Sequence, residues 1–323
     1  MNTPILTISN LSKRYQDLTA LTNLSLAFNK GEVIALLGAN GAGKSTLINT
    51  LLGLIKAQSG DISIAGYPPG HIFSRQQIGC MMQSTQLPTT LTVYEHIQLF
   101  SSYYPNPHPI NETLKLAQLT DLSSRKLDQL SGGQKQRVYF ALAICGNPQL
   151  IFLDEPSVGL DISAREVLWQ CIEKLRQQGK TILLTTHYLE EAEALANRLI
   201  YLTLGKVVFD GSLNDFKSQY NAKSIRFKSQ ITIQQIENLP ELESVEQRGQ
   251  HYIVTSKRCE ITLQSLFELD PLLSDLTVVQ RSLEDIVKNL QRPSNSLDAL
   301  NIQEKSEYLA AQSKVKEIQE AQS

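Results

Sequence analysis

Apolar residues in this chain follow two distinct rhythms. Val33-Ile34-Ala35-Leu36-Leu37, Leu150-Ile151-Phe152-Leu153 and the centre of Thr181-Ile182-Leu183-Leu184-Thr185-Thr186 are continuous apolar runs with no alternation. Such runs belong to short strands covered on both faces, as in parallel sheets sandwiched by helices. Elsewhere between residues 5 and 36, apolar and polar positions alternate around the turn Asn29-Lys30-Gly31-Glu32, the pattern of antiparallel strands with one face to solvent. Thr46 to Leu52 continues at helical spacing, and residues 86–147 are helix-rich. Tyr103 to Pro109 interrupts them with Pro105, Pro107 and Pro109, which cannot continue a helix and so form a connector. Tyr188 to Arg198 reads as an acidic amphipathic helix, and Leu199–Leu202 and Val207–Phe209 flank Gly205-Lys206 as a hairpin. The whole predicts an α/β core with an antiparallel β subdomain and a helical subdomain, ending near residue 220.

Beyond that point the rhythm changes. Ser224–Phe227 alternates like a strand, Ile233–Leu239 is a short helix, and Ser244–Gln247 with Tyr252–Thr255 forms a hairpin about Arg248-Gly249-Gln250. Ile261–Leu269 is helical, Leu276–Gln280 is a strand, and Ser282–Leu290 is a helix opened by a Ser-Leu-Glu-Asp cap. The order β-α-β-β-α-β suggests a small ferredoxin-like α+β domain over residues 221–290. Residues 291–323 are polar with mixed charge and are expected to be a mobile tail.

Composition narrows the possibilities. The chain has 323 residues, 41% of them hydrophobic, and a mean hydropathy of -0.17, enough for one full-sized core and a smaller one. Its apolar runs fall far short of the ~20 residues that cross a bilayer. The start, Met1-Asn2-Thr3-Pro4, carries neither a basic leader nor an apolar signal core, so a cytosolic protein is expected. A formal net charge of -2 gives no basic field to recruit nucleic acid. Cys80, Cys145, Cys171 and Cys259 lie far apart without metal-ligand spacing, which suits a reducing compartment.

Chemistry enters at the end of the first apolar run. Gly38-Ala39-Asn40-Gly41-Ala42-Gly43-Lys44-Ser45 stands between a buried strand and a helix. Glycines at that spacing let bare amides wrap a polyphosphate, with the helix dipole adding its field. Lys44 is placed to reach the β- and γ-phosphates, Ser45 to put its hydroxyl on Mg²⁺, and Thr46 completes the cradle. A second anion receptor follows at Leu130-Ser131-Gly132-Gly133-Gln134, where Ser131 is a natural N-cap and the glycines are expected to leave first-turn amides open.

Leu-Ser-Gly-Gly-Gln is the signature pentapeptide of the ATP-binding cassette (ABC) family, and roughly residues 4–220 resemble its ATPase unit. The resemblance implies a phosphate-loop ATPase core of that type and assigns the remaining parts. Leu150 to Pro156 resembles the strand that ends in two carboxylates. Asp154 would hold Mg²⁺ and Glu155 would activate the attacking water, with Pro156 expected to keep Glu155 extended and end the strand. Gln83 matches the glutamine that senses Mg²⁺ and the γ-phosphate, His187 the histidine that contacts the γ-phosphate, and Tyr15 the aromatic residue that stacks on adenine. Ser157-Val158-Gly159-Leu160-Asp161 resembles the loop that crosses a dimer interface.

In that family two such units pack head to tail, each ATP lying between the phosphate loop of one and the signature helix of the other. The resemblance therefore implies ATP and Mg²⁺ as cofactors, a homodimer or paired cassette subunit, and a separately encoded membrane permease on the cytoplasmic face of the cell membrane. Together with the C-terminal domain, it implies the ATPase subunit of a bacterial drug-resistance-type exporter. An importer subunit, or a soluble cassette ATPase acting on ribosomes or DNA, is the alternative. The second cassette and charged linker usual in translation-type members, and the long coiled coil of DNA-repair members, are missing from the sequence. The cargo is left open.

Overall fold

The computed structural model describes residues 4–16, 18–82, 87–219, 223–280 and 286–287. Contacts divide them into two compact units, one within Met1–Leu213 and one within Asn214–Asn301.

The first unit opens with the antiparallel strands β1 (Leu6–Tyr15) and β2 (Leu18–Phe28). Next come β3 (Val33–Leu37), the helix α1 (Lys44–Leu51) and β4 (Ser59–Ile64), which pairs with the free edge of β1. The helix α2 (Ile72–Gln76) and β5 (Ile78–Met81) lead into the helical part, α3 (Val93–Ser101), α4 (Ile110–Leu116) and α5 (Gly132–Ile144). Then β6 (Leu150–Asp154), α6 (Ile162–Gln177), β7 (Thr181–Thr185), α7 (Leu189–Leu195), β8 (Arg198–Thr203) and β9 (Lys206–Gly211) complete the core. The helix α8 (Leu213–Gln219) begins at the division and falls almost wholly within the second unit.

Strand order explains the rhythm. The six-stranded sheet runs β5-β6-β7-β3-β8-β9, with β5 to β8 parallel and only the edge strand β9 antiparallel. All residues of β3, β6 and β7 are buried, which is why their sequences do not alternate. The β2-β1-β4 sheet alternates because one of its faces is solvated. One buried cluster joins the layers: Leu24 and Phe28 of β2, Leu47 and Leu51 of α1, and Ile34, Phe152 and Leu183 of the parallel sheet. Each such side chain contributes roughly 1.5–3 kcal/mol when fully buried. The acidic helix after His187 is shorter than its sequence suggests: α7 stops at Leu195, and Arg198 already belongs to β8. There its guanidinium holds Asp210 of β9 at 2.7 Å and Glu32 at 3.0 Å, a sheet-edge role that periodicity does not reveal.

After α8, the second unit is an antiparallel sheet with two further helices. It comprises β10 (Lys223–Lys228), α9 (Ile233–Glu237), β11 (Leu242–Arg248), β12 (His251–Ser256), α10 (Cys259–Leu269) and β13 (Ser274–Gln280), in the sheet order β11-β12-β10-β13. Ile225, Phe227, Tyr252 and Val254 pack from the strands against Ile236 and Leu266 of the helices. Of the expected helix at 282–290, Ile286 and Val287 are helical and buried; its other residues and the tail at 291–323 lie outside the described residues.

Candidate functional site

Three adjacent parallel strands, β6, β7 and β3, bring their C-terminal ends to one edge of the sheet, where open α/β sheets bind ligands. From β3 the chain enters the Gly38–Ser45 loop. Two of its glycines are fixed by close approach: a Cβ on Gly38 would lie 2.3 Å from the Leu202 carbonyl oxygen, and one on Gly43 would lie 2.5 Å from that of Ala20. Gly43 is also the N-cap of α1 and offers no side-chain cap, so the first amides of the helix stay available. Ala39, Asn40, Gly41 and Ser45 are exposed, Ala42 is buried and Thr46 is half-buried. Lys44, only 9% exposed, donates to the carbonyls of Gly38 at 2.7 Å and Ala39 at 3.1 Å. Burial pushes its ammonium below the ordinary lysine range, while the charges of Glu155 and Asp154 pull it back up. Loop lysine and strand-end carboxylates thus share one electrostatic site.

The carboxylates are set by a residue that motif reading passed over. Thr185, the last residue of β7, donates its hydroxyl to Asp154 Oδ1 at 2.6 Å. Its hydroxyl and carbonyl oxygens accept the Glu155 N–H at 3.0 and 3.1 Å. The expectation that Pro156 holds Glu155 extended is corrected here, because Glu155 has φ 52, in the left-handed region. Capture of its amide by the neighbouring strand turns the backbone against the usual preference, at a cost of roughly 1–3 kcal/mol. The turn delivers Glu155 Oε1 to within 2.5 Å of His187 Nε2. Glu155 is largely buried and the imidazole is 46% exposed, so a shielded acceptor faces a solvent-reachable donor. A polar residue closing the apolar run Ile182–Leu184 was the sequence signal for Thr185.

The segment expected to be a second anion receptor also takes the shape of a helix start. Ser131 Oγ accepts the Gln134 N–H at 3.3 Å, and Gln134 Oε1 accepts the Ser131 N–H at 3.0 Å, a reciprocal capping box. Ser131 and Gly132 are exposed. Gly133 has a packing role that its motif does not disclose: a Cβ there would lie 2.9 Å from Ala164 Cβ, so this glycine lets α5 approach α6. Asp161 caps α6, accepting the Ala164 N–H at 2.7 Å. With Ser131, Gly133, Gln134 and Arg137 it lines a shallow cleft of about 220 Å³. Tyr15 is 43% exposed at the end of β1, with Lys13 Nζ 5.0 Å above its ring. Gln83 lies outside the described residues.

Other chemistry is weak. Burial and the charge of Asp154 push the Cys80 thiol up to about 12, and burial pushes Cys145 up to about 11, so neither is a thiolate at neutral pH. Among the described residues no group of three or more His, Cys, Asp or Glu side chains could hold a metal ion by itself.

A glycine loop, a buried lysine and paired carboxylates at the ends of parallel strands define a phosphate-loop nucleotide hydrolase. Residues 21–158 match the model of the family described as ABC transporter. A Nod factor export ATP-binding protein I from Burkholderia orbicola is 38% identical over 210 residues, covering 63% of this chain and 69% of the relative. One from Ralstonia nicotianae is 36% identical over 217 residues, covering 65% and 68%. A solved ATP-binding subunit of an ABC transporter matches with a TM-score of 0.61 and 32% identity, over 67% of this chain and 93% of that one. A dimeric bacterial ABC transporter cassette matches with a TM-score of 0.58 and 31% identity, over 64% and 98%. The chain belongs to the ABC transporter family as an ATP-binding subunit, and its enzymatic activity is ATP hydrolysis. The α/β fold of that family is followed here by the additional antiparallel sheet β10–β13.

Proposed function

We propose that this protein hydrolyses MgATP between two cassette subunits and uses the resulting opening and closing to drive export through a separately encoded permease on the cytoplasmic membrane face. The observation that carries the hydrolytic part is the Glu155–His187 pair at 2.5 Å, beside Lys44 and at the end of the parallel strands. In this reading Gly38–Thr46 binds the phosphates, Lys44 neutralises the β- and γ-phosphates, and Tyr15 carries the adenine. Glu155 accepts a proton from the attacking water, and His187 orients Glu155 and reaches the γ-phosphate. Asp154 and Ser45 offer one carboxylate and one hydroxyl, a hard-oxygen set that Mg²⁺ accepts when substrate phosphates complete its shell, and Gln83 is assigned to the same ion. Mg²⁺ would offset phosphate charge; the remaining work falls to the protein groups.

Pairing of two subunits is supported by the dimeric cassettes among the solved relatives, one of them a post-hydrolysis state bound to ADP and phosphate. It is also supported by the exposure of Ser131 and Gly132, which we assign with Gly133, Gln134 and Asp161 to the ATP held by the opposite subunit. Export is supported by the Nod factor export proteins among the relatives. A separate permease accords with the described helices, none of which is long and apolar enough to cross a membrane. We read the second unit as a ferredoxin-like accessory domain, supported by its β-α-β-β-α-β order and the central place of β10 and β12 in the sheet.

The test is Glu155→Gln in the full chain. ATP binding is retained, turnover falls on the order of 10²–10⁴-fold, and a nucleotide-bound dimer accumulates that co-purifies from membranes with a multi-spanning protein. Undiminished hydrolysis would remove Glu155 from its role, and co-purification with ribosomes or DNA instead would replace export by the soluble reading.

A further inference from the structure

Beneath the His187 turn lies a carboxylate that the hydrolytic site does not use. Glu191, in the first turn of α7, has no solvent exposure. Trp169 of α6 donates its indole N–H to Glu191 Oε1 at 3.0 Å. The other oxygen, Oε2, and the hydroxyl of Ser157 are both buried, and neither has a partner at full hydrogen-bond geometry, although the Ser157 hydroxyl is near enough to act on the carboxyl. Burial pushes the Glu191 carboxyl above the usual carboxylate range, while the Thr186 and Ser157 hydroxyls, the Trp169 indole and the Arg165 guanidinium act the other way. Arg165, one turn before Trp169 on α6, lies 4.0 Å above the ring of Tyr188. Thr186 closes the same turn, its hydroxyl accepting the Tyr188 N–H at 2.9 Å.

The connectivity gives these contacts their meaning. Ser157 follows Glu155 by two residues, and Thr186 precedes His187 by one. Glu191 therefore stands where the loop after β6, the turn after β7 and the helix α6 converge. An apolar side chain of similar size would fill this space without the desolvation cost of a carboxyl group, so the carboxyl holds the position through its polar contacts.

We propose that Glu191 is a positioning residue for ATP hydrolysis, tying the Ser157–Asp161 loop to the His187 turn so that this loop and the Glu155–His187 pair reach their working arrangement together. The orphaned Ser157 hydroxyl and Glu191 Oε2 form a donor and an acceptor whose pairing completes the tie. This rests on the hydrolytic reading of Glu155 and His187 given above.

The experiment uses the full chain with Glu191→Leu, Glu191→Gln, Ser157→Ala, and the Ser157→Ala/Glu191→Leu pair. Each is assayed for hydrolysis, for KM of ATP and for emission of Trp169, the single tryptophan of the chain. Glu191→Leu lowers kcat on the order of 100-fold through misplacement of the reacting groups. KM stays unchanged, because the phosphate loop is untouched. Glu191→Gln, whose amide oxygen still accepts from Trp169, recovers most of the rate. Ser157→Ala lowers kcat alone but adds nothing to Glu191→Leu, as expected of one shared contact. The nucleotide-induced change in Trp169 emission is lost in Glu191→Leu and kept in Glu191→Gln.

Unchanged kcat in Glu191→Leu overturns the proposal, as does a parallel loss in KM and kcat or additivity with Ser157→Ala. Should Glu191→Leu fail to fold, wild-type turnover by Ser157→Ala overturns it equally. Normal hydrolysis by Glu155→Gln would instead overturn the hydrolytic reading itself. A stalled Glu155→Gln beside an unimpaired Glu191→Leu overturns the tie alone.

Discussion

Helices α1 and α5 both begin on glycines, yet their ends are finished differently. At α1 the N-cap is Gly43, with no side chain to occupy the amides, and a lysine leans over the loop. At α5 Ser131 and Gln134 satisfy each other's amides, and Gly133 faces the next helix. An uncapped helix start retains unpaired donors that an anion can take over, whereas a capped one has already spent part of that capacity. We therefore assign the stronger phosphate-receptor role to α1 and a weaker, geometrically defined one to α5. In the dimer proposed above, a single subunit would hold nucleotide by α1, and α5 would act only once the partner closes.

The largest effect in this contrast is expected at α1. Lys44→Ala should weaken triphosphate binding and hydrolysis on the order of 10²–10³-fold, since it deletes the ammonium we assign to the phosphates. Near-normal nucleotide affinity by titration calorimetry would erase the distinction between the two helix starts. Next comes Gly133→Ala, whose new Cβ meets Ala164 and should cost about 1–3 kcal/mol through overpacking. It should also lower hydrolysis by displacing α5. Adding Ala164→Gly should restore hydrolysis and bring stability back close to the wild type, since the helix glycine merely moves from α5 to α6; a thermal melt and an ATPase assay of the pair decide whether the α5–α6 contact is the cause. Smallest in stability is Ser131→Ala, about 1 kcal/mol from the lost cap. Hydrolysis should fall while monomer nucleotide binding holds, and mixing with Lys44→Ala subunits should rescue activity if the site is shared.

What could be read in the residue order depended on how local the cause was. The phosphate loop, the Ser131 cap and the buried strands were legible because glycine spacing, capping chemistry and unbroken apolar runs act within a few residues. Glu155 was legible as a carboxylate at a strand end but not in its backbone, since Thr185, thirty positions away in sequence, captures its amide. The packing role of Gly133 was not legible because Ala164, which it meets, belongs to a later helix. Glu191 looked like one acid among several on an amphipathic helix, and only the arrival of Trp169 from α6 marks it as enclosed. In the second unit the elements and their order follow from local alternation and caps, while the neighbours of each strand emerge only from the pairing.

The turn between β8 and β9 has a wider role than joining two strands. Gly205 donates its N–H to the carbonyl of Ala42 at 2.9 Å and accepts the Thr22 N–H at 2.8 Å. One small residue therefore buttons the phosphate-binding segment to strands of two separate sheets. Neither sheet can peel away without loosening that segment, so the first unit should open as one cooperative block, and a nucleotide seated there should brace regions well beyond its own contacts.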